Sequence, residues 1–130
     1  INYKETLPIK FLEISNLNEC LICEISYEIK KCFIVSLYRS PSQDIDEFNS
    51  FMTEFEQILD NISNPGNPNL ILIIGDFNAK SSTWNVDDID TFEGTEIKNL
   101  TSSYGLVQMI SNPTHILPNS STCIDLIFTN

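Results

Sequence analysis

Three segments near the start of the chain have the apolar patterns of β-strands. Residues 9–17 and 20–29 each look strand-like, and residues 20–29 alternate with a period of two, which is typical of a strand that buries one face. Residues 32–38 (CFIVSLY) are apolar enough for a central strand, and Lys30 and Lys31 are expected to form the turn before them. The pattern predicts three antiparallel neighbours in one sheet.

The period changes to that of a helix after Asp44. Apolar residues then recur three and four positions apart, and they are Ile45, Phe48, Met52, Phe55, Leu59 and Ile62. Asp44 suits the N-cap position, and Glu47 three residues later is close to a capping box. The segment 64–68 (NPGNP) ends the helix. The aromatic stripe predicts a helix that packs on the sheet as part of the core, rather than a ligand pocket.

A continuous apolar run, 70–74 (LILII), lies between Pro68 and Gly75. A short run of this kind predicts a strand that is buried on both faces. The polar segment 79–94 follows, and it contains an acidic cluster: Asp87, Asp88 and Asp90. The cluster lacks the glycine and the final glutamate of an EF-hand loop, so a solvated acidic loop is the favoured interpretation.

The remaining segments complete the predicted fold. Residues 95–104 can form a second helix with Gly105 as its C-terminal stop. Residues 106–110 are expected to re-enter the sheet, and 124–128 (IDLIF) to form a last strand that Asp125 interrupts. The order of strands, helix, buried strand, helix and strand predicts an α/β layered fold with helices packed on a mixed sheet.

Length and composition describe one globular domain of 130 residues, 42% hydrophobic and 19% charged. The net charge is −11, from 7 basic and 18 acidic residues. This charge argues against a simple polyanion binder, because Lys and Arg make most contacts with phosphate. It does not exclude an enzyme that meets phosphate through a divalent metal ion, since the ion supplies positive charge.

Four cysteines are present, and two of them, Cys20 and Cys23, have a CxxC spacing. No second pair completes a zinc site, so thiols buried in strands, without a disulfide partner, are the favoured interpretation. Free thiols suit a reducing compartment, and no signal peptide or membrane-spanning apolar segment is visible. We therefore expect an intracellular protein, in the nucleus or the cytoplasm, with no membrane partner.

Four polar residues lie where strands end or inside apolar runs: Tyr38, Asp76, Asn78 and Asp125. Taken singly, each has a structural explanation, such as a strand end, an Asx turn or an ion pair. If the strands share one sheet, however, the four groups converge at one edge. Carboxylates there could hold Mg²⁺ or position a water, and an amide and a phenol could donate hydrogen bonds to a phosphate, so a phosphoester site is indicated.

Three motifs carry a resemblance to a known superfamily. They are GDFN after an apolar strand, SLYRSP before a helix and STCIDLIF near the end. This ordered set resembles the endonuclease/exonuclease/phosphatase superfamily, which has the DNase-I-like fold. More narrowly, GDFNAKSSTW followed by NPTHILPNSSTCIDLIF is similar to the endonuclease domain of non-LTR retrotransposons. The resemblance covers residues 33–128 and implies a layered α/β sandwich with a mixed, largely antiparallel sheet.

The resemblance implies a role for each candidate residue. Asp76 resembles the aspartate that aligns or deprotonates the attacking water and that is a metal ligand. Asn78 resembles the partner that holds this aspartate and the scissile phosphate. Tyr38 and Thr114 resemble the tyrosine and threonine that contact the phosphate. Asp125 is similar to the aspartate that orients a catalytic histidine.

Two parts of the family's site have no counterpart in the chain. The family places a metal-binding glutamate in the N-terminal half of the domain, and Glu24 and Glu28 lie in the wrong context to match it. The family's domain also ends with Ser-Asp-His, which has no match in this chain. His115 is the single histidine here, and it is not expected to be catalytic. We therefore expect residues 1–130 to be a partial domain that lacks its N-terminal half and its C-terminal end, and to be inactive alone.

The resemblance implies metal-dependent phosphodiester hydrolysis, with Mg²⁺ or Mn²⁺ as the cofactor and DNA as the partner. The most specific expectation is a DNA-nicking endonuclease of a non-LTR retrotransposon, with a reverse transcriptase domain on the same parent chain. Two alternatives stay open. One is a lipid or inositol phosphoesterase of the same fold, and the other is a degenerate remnant without activity.

Overall fold

A computed structural model describes residues 8–12 and 19–130 of the chain. Its elements in chain order are β1 (Ile9–Leu12), β2 (Cys20–Tyr27), β3 (Lys30–Tyr38), α1 (Ile45–Ile62), β4 (Leu70–Asp76), α2 (Phe92–Ser103), β5 (Val107–Gln108), β6 (His115–Leu117), β7 (Ser120–Thr122) and β8 (Asp125–Thr129). The predicted strand 9–17 is confirmed for the length of β1. Its remainder, residues 13–17, lies outside the described part of the chain.

Six strands form one sheet in the order β1-β2-β3-β4-β8-β5, and β6 and β7 form a separate hairpin. Within the six-stranded sheet, β3 and β4 are parallel and the other neighbouring pairs are antiparallel. The sheet does not close on itself. The mixed, largely antiparallel α/β architecture predicted from the sequence is therefore confirmed.

The turn between β2 and β3 differs from the prediction. Residues 28–29 form it, not residues 30–31, because Lys30 already pairs with Tyr27 across the two strands. Glu28 adopts a left-handed backbone with φ 53°. A positive φ of this kind lets two residues close a hairpin without splaying its strands.

Helix α1 begins as the sequence predicts. Asp44 Oδ1 accepts a hydrogen bond from Glu47 N, and Glu47 Oε2 accepts one from Asp44 N, both at 2.9 Å, so the capping box is confirmed. The aromatic stripe of the helix continues into the sheet. Ring centroids are 5.9 Å apart for Phe55 and Phe77, and 5.4 Å apart for Phe77 and Phe128. These rings lie in the core, as predicted.

The sheet has one covered face and one open face. On the covered face, Val35, Ile73 and Phe128 are buried in one cluster with side chains of α1 and α2. The opposite face, which we call the open face, carries exposed apolar side chains, and they are Ile9, Phe11, Leu21, Leu70, Ile74 and Val107. The prediction that strand 70–74 is buried on both faces is therefore wrong. Among the described residues no layer packs on the open face, and Ile74 stays 40% exposed.

The acidic cluster after β4 is packed more closely than predicted. Asp88 is buried and accepts a hydrogen bond from Cys123 N at 3.1 Å. Asp90 is exposed, but its carboxylate accepts hydrogen bonds from both the backbone and the hydroxyl of Ser82. The interpretation as a solvated loop is wrong for Asp88, because this carboxylate satisfies a buried backbone donor. It is right for Asp87, which is exposed.

Helix α2 begins three residues earlier than predicted. Its N-cap is Thr91, whose hydroxyl accepts a hydrogen bond from Gly94 N at 3.1 Å. The start was missed because a glycine in the first turn weakens the helical signal in the sequence. The predicted stop at Gly105 is confirmed, with a left-handed φ of 72°.

The predicted returns to the sheet after α2 are confirmed, since β5 lies within residues 106–110 and β8 overlaps residues 124–128. The β6–β7 hairpin was not predicted, because strands of three residues carry too little alternation to be recognised. In the part of the chain that the structure describes, no helix combines the length and apolar character needed to cross a membrane.

Gly75 allows β3 and β4 to approach closely just before Asp76. A Cβ atom on Gly75 would overlap the carbonyl oxygen of Leu37, so Gly75→Ala must push the strands apart. We expect this variant to lose about 1–3 kcal/mol of unfolding free energy, measured by urea denaturation with circular dichroism. Gly66→Ala is the matched control, because its Cβ would meet no atom closer than 3.9 Å. Equal stability of the two variants would contradict the prediction.

Candidate active site

Three predicted site residues form one row across the sheet. Tyr38, Asp76 and Asp125 occupy paired positions on β3, β4 and β8. Neighbouring strands lie roughly 4.8 Å apart, so the phenol and the two carboxylates leave the sheet side by side. Alternation along each strand places all three on the open face, at the edge where β3 and β4 end and β8 begins.

The fourth predicted residue, Asn78, lies in the turn after β4. Its backbone has φ 45°, a left-handed conformation that asparagine tolerates better than most residues. Asn78 N donates a hydrogen bond to Asp76 Oδ1 at 3.0 Å, and Asn78 Nδ2 donates to Arg39 O at 2.8 Å. Phe77 between them is fully buried and donates its N–H to Ile124 O at 2.9 Å. These hydrogen bonds join the turn to Arg39, directly after β3, and to Ile124, directly before β8.

Arg39 is a residue of this site that sequence reasoning missed. Its side chain is 3% exposed, and it donates from Nε to Phe77 O and from Nη2 to Asn78 O, each at 2.5 Å. Its guanidinium carbon also lies 5.5 Å from the centre of the Phe48 ring. The SLYRSP motif contained the signal. Because side chains alternate between the two faces of a strand, an arginine directly after Tyr38 is expected on the covered side of the sheet. A buried guanidinium group there needs hydrogen-bond acceptors.

Thr114 holds the start of β8. Its Oγ1 accepts hydrogen bonds from Ile124 N at 3.3 Å and from Asp125 N at 3.0 Å. The structure thus brings Thr114 beside Asp125, with its hydroxyl proton left to donate elsewhere. Its contact with a phosphate stays a prediction. His115 follows as the first residue of the hairpin, where it is exposed and pairs with Thr122.

Burial raises the pKa of Asp76 above its ordinary value, and the charge of Asp125 on the neighbouring strand adds to the rise. Hydrogen bonds from Asn78 and the charge of Arg39 lower the same pKa without cancelling the increase. A carboxylate with raised proton affinity is a stronger base once it is ionised. The Asp76 environment therefore suits proton transfer.

A cleft of about 720 Å³ opens beside Tyr38. Its lining includes four acidic residues, which are Glu19, Asp46, Glu47 and Glu54. Because like charges repel, a phosphate-rich ligand is disfavoured on this side of the row. A second cleft, of about 430 Å³, lies at the opposite end of β4 beside Tyr104, and none of the predicted site residues lines it.

The CxxC cysteines do not form a metal site. Cys20 and Cys23 are three positions apart in β2, so their side chains leave opposite faces of the sheet. Both are half-buried, which corrects the expectation of buried thiols, whereas Cys123 is buried. Among residues 8–12 and 19–130, no three His, Cys, Asp or Glu side chains come together as a metal-binding group.

Asp76, with Asp125 as a neighbouring oxygen donor, is the residue that suits a divalent metal ion. Mg²⁺ is commonly bound by one or two carboxylates together with substrate phosphate and water. The two carboxylates occupy paired positions on adjacent strands. Burial raises the pKa of Asp76 most, and a cation would relieve the repulsion from Asp125 that adds to this rise. The carboxylate oxygens of Asp76 and Asp125 are therefore suitable ligands for Mg²⁺. Further ligands would have to come from substrate, water or other protein groups.

The structure is similar to several solved structures that share one fold. One is the endonuclease domain of TRAS1, a telomere-specific non-LTR retrotransposon, with TM-score 0.74 and 20% identity over 97% of this chain and 57% of that chain. An endonuclease/exonuclease/phosphatase family protein from Leptotrichia buccalis C-1013-b gives TM-score 0.54 and 19% identity, over 85% and 42%. ANGEL2, a 2′,3′-cyclic phosphatase, gives TM-score 0.56 and 12% identity, over 95% and 55%. The chain has the endonuclease/exonuclease/phosphatase fold, and it spans only part of each of these proteins.

A sequence comparison identifies the family within this fold. The family model described as endonuclease-reverse transcriptase matches residues 32–130. The chain belongs to this endonuclease-reverse transcriptase family, which confirms the resemblance carried by the GDFN, SLYRSP and STCIDLIF motifs. No curated protein matches the sequence.

Asp76→Asn keeps an oxygen acceptor at the end of β4 and removes the charge. Folded Asp76 has a raised pKa, so it binds its proton more tightly than an unfolded aspartate, and ionisation lowers stability. The variant should therefore melt above the native chain at about pH 7. The difference should shrink as the pH falls through the raised pKa of Asp76 to below about 3.9, the unfolded value.

Thermal melts across this pH range, followed by circular dichroism, measure the effect. Asp87→Asn is the matched control, because it removes one carboxylate at an exposed position in the loop after β4. A melting difference for Asp76→Asn that is independent of pH, or that grows as the pH falls, would show the prediction to be wrong.

Proposed function

We propose that this chain belongs to a metal-dependent phosphodiesterase, a DNA-nicking endonuclease of a non-LTR retrotransposon. The observation that carries the proposal is the row of Tyr38, Asp76 and Asp125, with Asn78 in the turn beside it. A phenol, two carboxylates and an amide at one sheet edge suit the attack of water on phosphorus. The fold shared with the TRAS1 endonuclease domain supports DNA as the substrate, and the family's description supports a linked reverse transcriptase.

The proposal assigns a role in this reaction to each of these side chains. Asp76 would hold Mg²⁺ or Mn²⁺, which neutralises charge on the phosphate oxygens, and would align and deprotonate the attacking water. Asn78 holds Asp76 through its backbone N–H and would donate its remaining amide proton to the phosphate. Tyr38 and Thr114 would donate to other phosphate oxygens. As the water oxygen bonds to phosphorus, the ester bond to the leaving oxygen breaks, and Asp125 would orient a histidine that protonates it.

We further propose that residues 1–130 form part of a longer domain. The chain spans 57% of the TRAS1 domain, and the open face carries exposed apolar side chains next to the catalytic row. A second layer on this face would bury them and would lie beside Tyr38, Asp76 and Asp125, where further metal ligands and a histidine are required. The chain alone is therefore expected to be inactive.

The test compares the 130-residue chain with the longest protein encoded by the transcript that contains it. Nicking of supercoiled plasmid is measured in Mg²⁺. We expect the longer protein to nick the plasmid and the chain alone to leave it intact. In the longer protein, Asp76→Ala should slow nicking roughly 10²–10⁴-fold, because it removes an acid/base group. Asn78→Ala should slow it roughly 10²–10³-fold, because it removes one donor to the developing charge.

Asp87→Ala is the matched control for this assay. It removes an exposed carboxylate of the same loop region and should nick at the native rate. Equal losses in Asp76→Ala and Asp87→Ala would contradict the role of the catalytic row. Nicking by the 130-residue chain that Asp76→Ala abolishes would contradict the proposal that the domain is incomplete.

A second candidate is a lipid or inositol phosphoesterase of the same fold. The acidic cleft beside Tyr38 favours it, because a small phosphoester avoids that cleft more easily than a long polyanion does. Turnover of a phosphoinositide by the longer protein, with DNA left intact, would establish this candidate in place of the nuclease. Failure to cleave either substrate and to bind Mg²⁺ would indicate a degenerate remnant.

A further inference from the structure

We propose that Arg39 is a positioning residue that holds the turn carrying Asp76 and Asn78 in its reactive geometry. Its role in the reaction rests on the proposed hydrolysis. Three consecutive carbonyl oxygens of the turn accept hydrogen bonds from this one residue. Arg39 N donates to Asp76 O at 2.9 Å, Nε donates to Phe77 O at 2.5 Å, and Nη2 donates to Asn78 O at 2.5 Å.

The contact between Arg39 and the turn is reciprocal. Asn78 Nδ2 donates to Arg39 O at 2.8 Å, while Asn78 O accepts from the guanidinium. This closed pair holds Asn78 at φ 45°, a backbone region that costs energy for non-glycine residues, although less for asparagine than for most. Hydrogen bonds from a charged donor are roughly twice as strong as those between neutral groups, so the guanidinium is well suited to compensate.

The guanidinium itself is held from the other side. Nη1 donates to Ser40 O at 3.3 Å and to Gln43 Oε1 at 3.1 Å, and the group lies against the Phe48 ring. A planar fork with fixed donor directions can reach two adjacent carbonyls at once, whereas a lysine ammonium is a single point donor. The arginine therefore links the start of α1 to the turn after β4.

The position of Arg39 connects this contact to the catalytic row. Arg39 directly follows Tyr38, and its N–H extends the β3–β4 pairing by one bond beyond the Tyr38–Asp76 pair. The Asp76 carboxylate in turn accepts from Asn78 N. Loss of the guanidinium hydrogen bonds would let the turn move and would shift the Asp76 carboxylate. A misplacement of about 1 Å can reduce a reaction rate by about 10²-fold.

The first readout of the test is amide hydrogen exchange, which needs no activity. The Phe77 and Asn78 amides donate to Ile124 O and Asp76 Oδ1. Arg39→Met keeps the apolar stem and removes the fork, so exchange at these two amides should accelerate by about 10-fold or more, because the turn opens locally. Arg39→Lys keeps the charge and should give an intermediate increase.

The second readout is the split between kcat and KM in the nicking assay of the longer protein. Because Arg39 is buried and is not expected to touch substrate, Arg39→Met should lower kcat by roughly 10–10²-fold and change KM by no more than about twofold. Arg39→Lys should recover part of the loss. If Arg39→Met does not fold, Arg39→Lys against the native protein carries both measurements.

Asn69→Ala is the matched control, because Asn69 Nδ2 donates to Ile62 O at 2.8 Å at the opposite end of β4. It should lower the melting temperature, and it should leave exchange at Phe77 and Asn78 and the value of kcat as in the native protein. Native exchange at both amides in the Arg39 variants would overturn the proposal. An equal loss of kcat in Asn69→Ala would do the same, since the effect would then be one of stability.

The two proposals can fail separately. A native longer protein that does not nick DNA would refute the proposed function and, with it, the kinetic part of the Arg39 proposal. Hydrogen exchange would still support or overturn the claim that Arg39 holds the turn. Faster exchange in Arg39→Met with a native kcat would show that the turn is held by Arg39 but that the reaction does not depend on it.

Discussion

The parallel pairing of β3 and β4 is the constraint on which the site depends. Helix α1 carries the chain across, so the two strands end at the same edge, where Tyr38 pairs with Asp76. Strand β8 runs antiparallel to β4, and its first residue, Asp125, therefore pairs with Asp76 from the other side. Had β3 and β4 been joined as a hairpin, the phenol and the carboxylate would lie at opposite ends of the sheet.

The two faces of the sheet differ in what they contact. The covered face packs against both helices through a continuous series of aromatic contacts that includes Phe55, Phe77 and Phe128. The open face carries both the row of Tyr38, Asp76 and Asp125 and a group of exposed apolar side chains. Contiguous apolar surface of this kind usually marks a contact with another layer. Any layer that packs there would therefore lie beside Tyr38, Asp76 and Asp125.

Local features of this chain were predictable because they depend on neighbours in sequence. The Asp44 capping box, the aromatic stripe of α1 and the stop at Gly105 require only a few consecutive residues. Burial was predicted less well. The run 70–74 is apolar on both sides of the strand, and composition alone does not reveal that one side has no partner among the described residues. Asp88 is misjudged for the opposite reason, because its partner, Cys123 N, lies 35 residues away.

The sequence by itself determined the α/β class, the family and the identity of five candidate residues, because strand ends and short motifs such as GDFN depend only on consecutive residues. Only the tertiary structure decided that Tyr38, Asp76 and Asp125 share one row and one face, since this depends on strand register. It also decided the place of Arg39, whose bond to Phe77 O spans 38 positions. The role of a buried charged side chain can be inferred only when its hydrogen-bond partners are known. For Arg39 these are carbonyl groups distant in sequence, and their hydrogen bonds offset the free-energy cost of burying the charge.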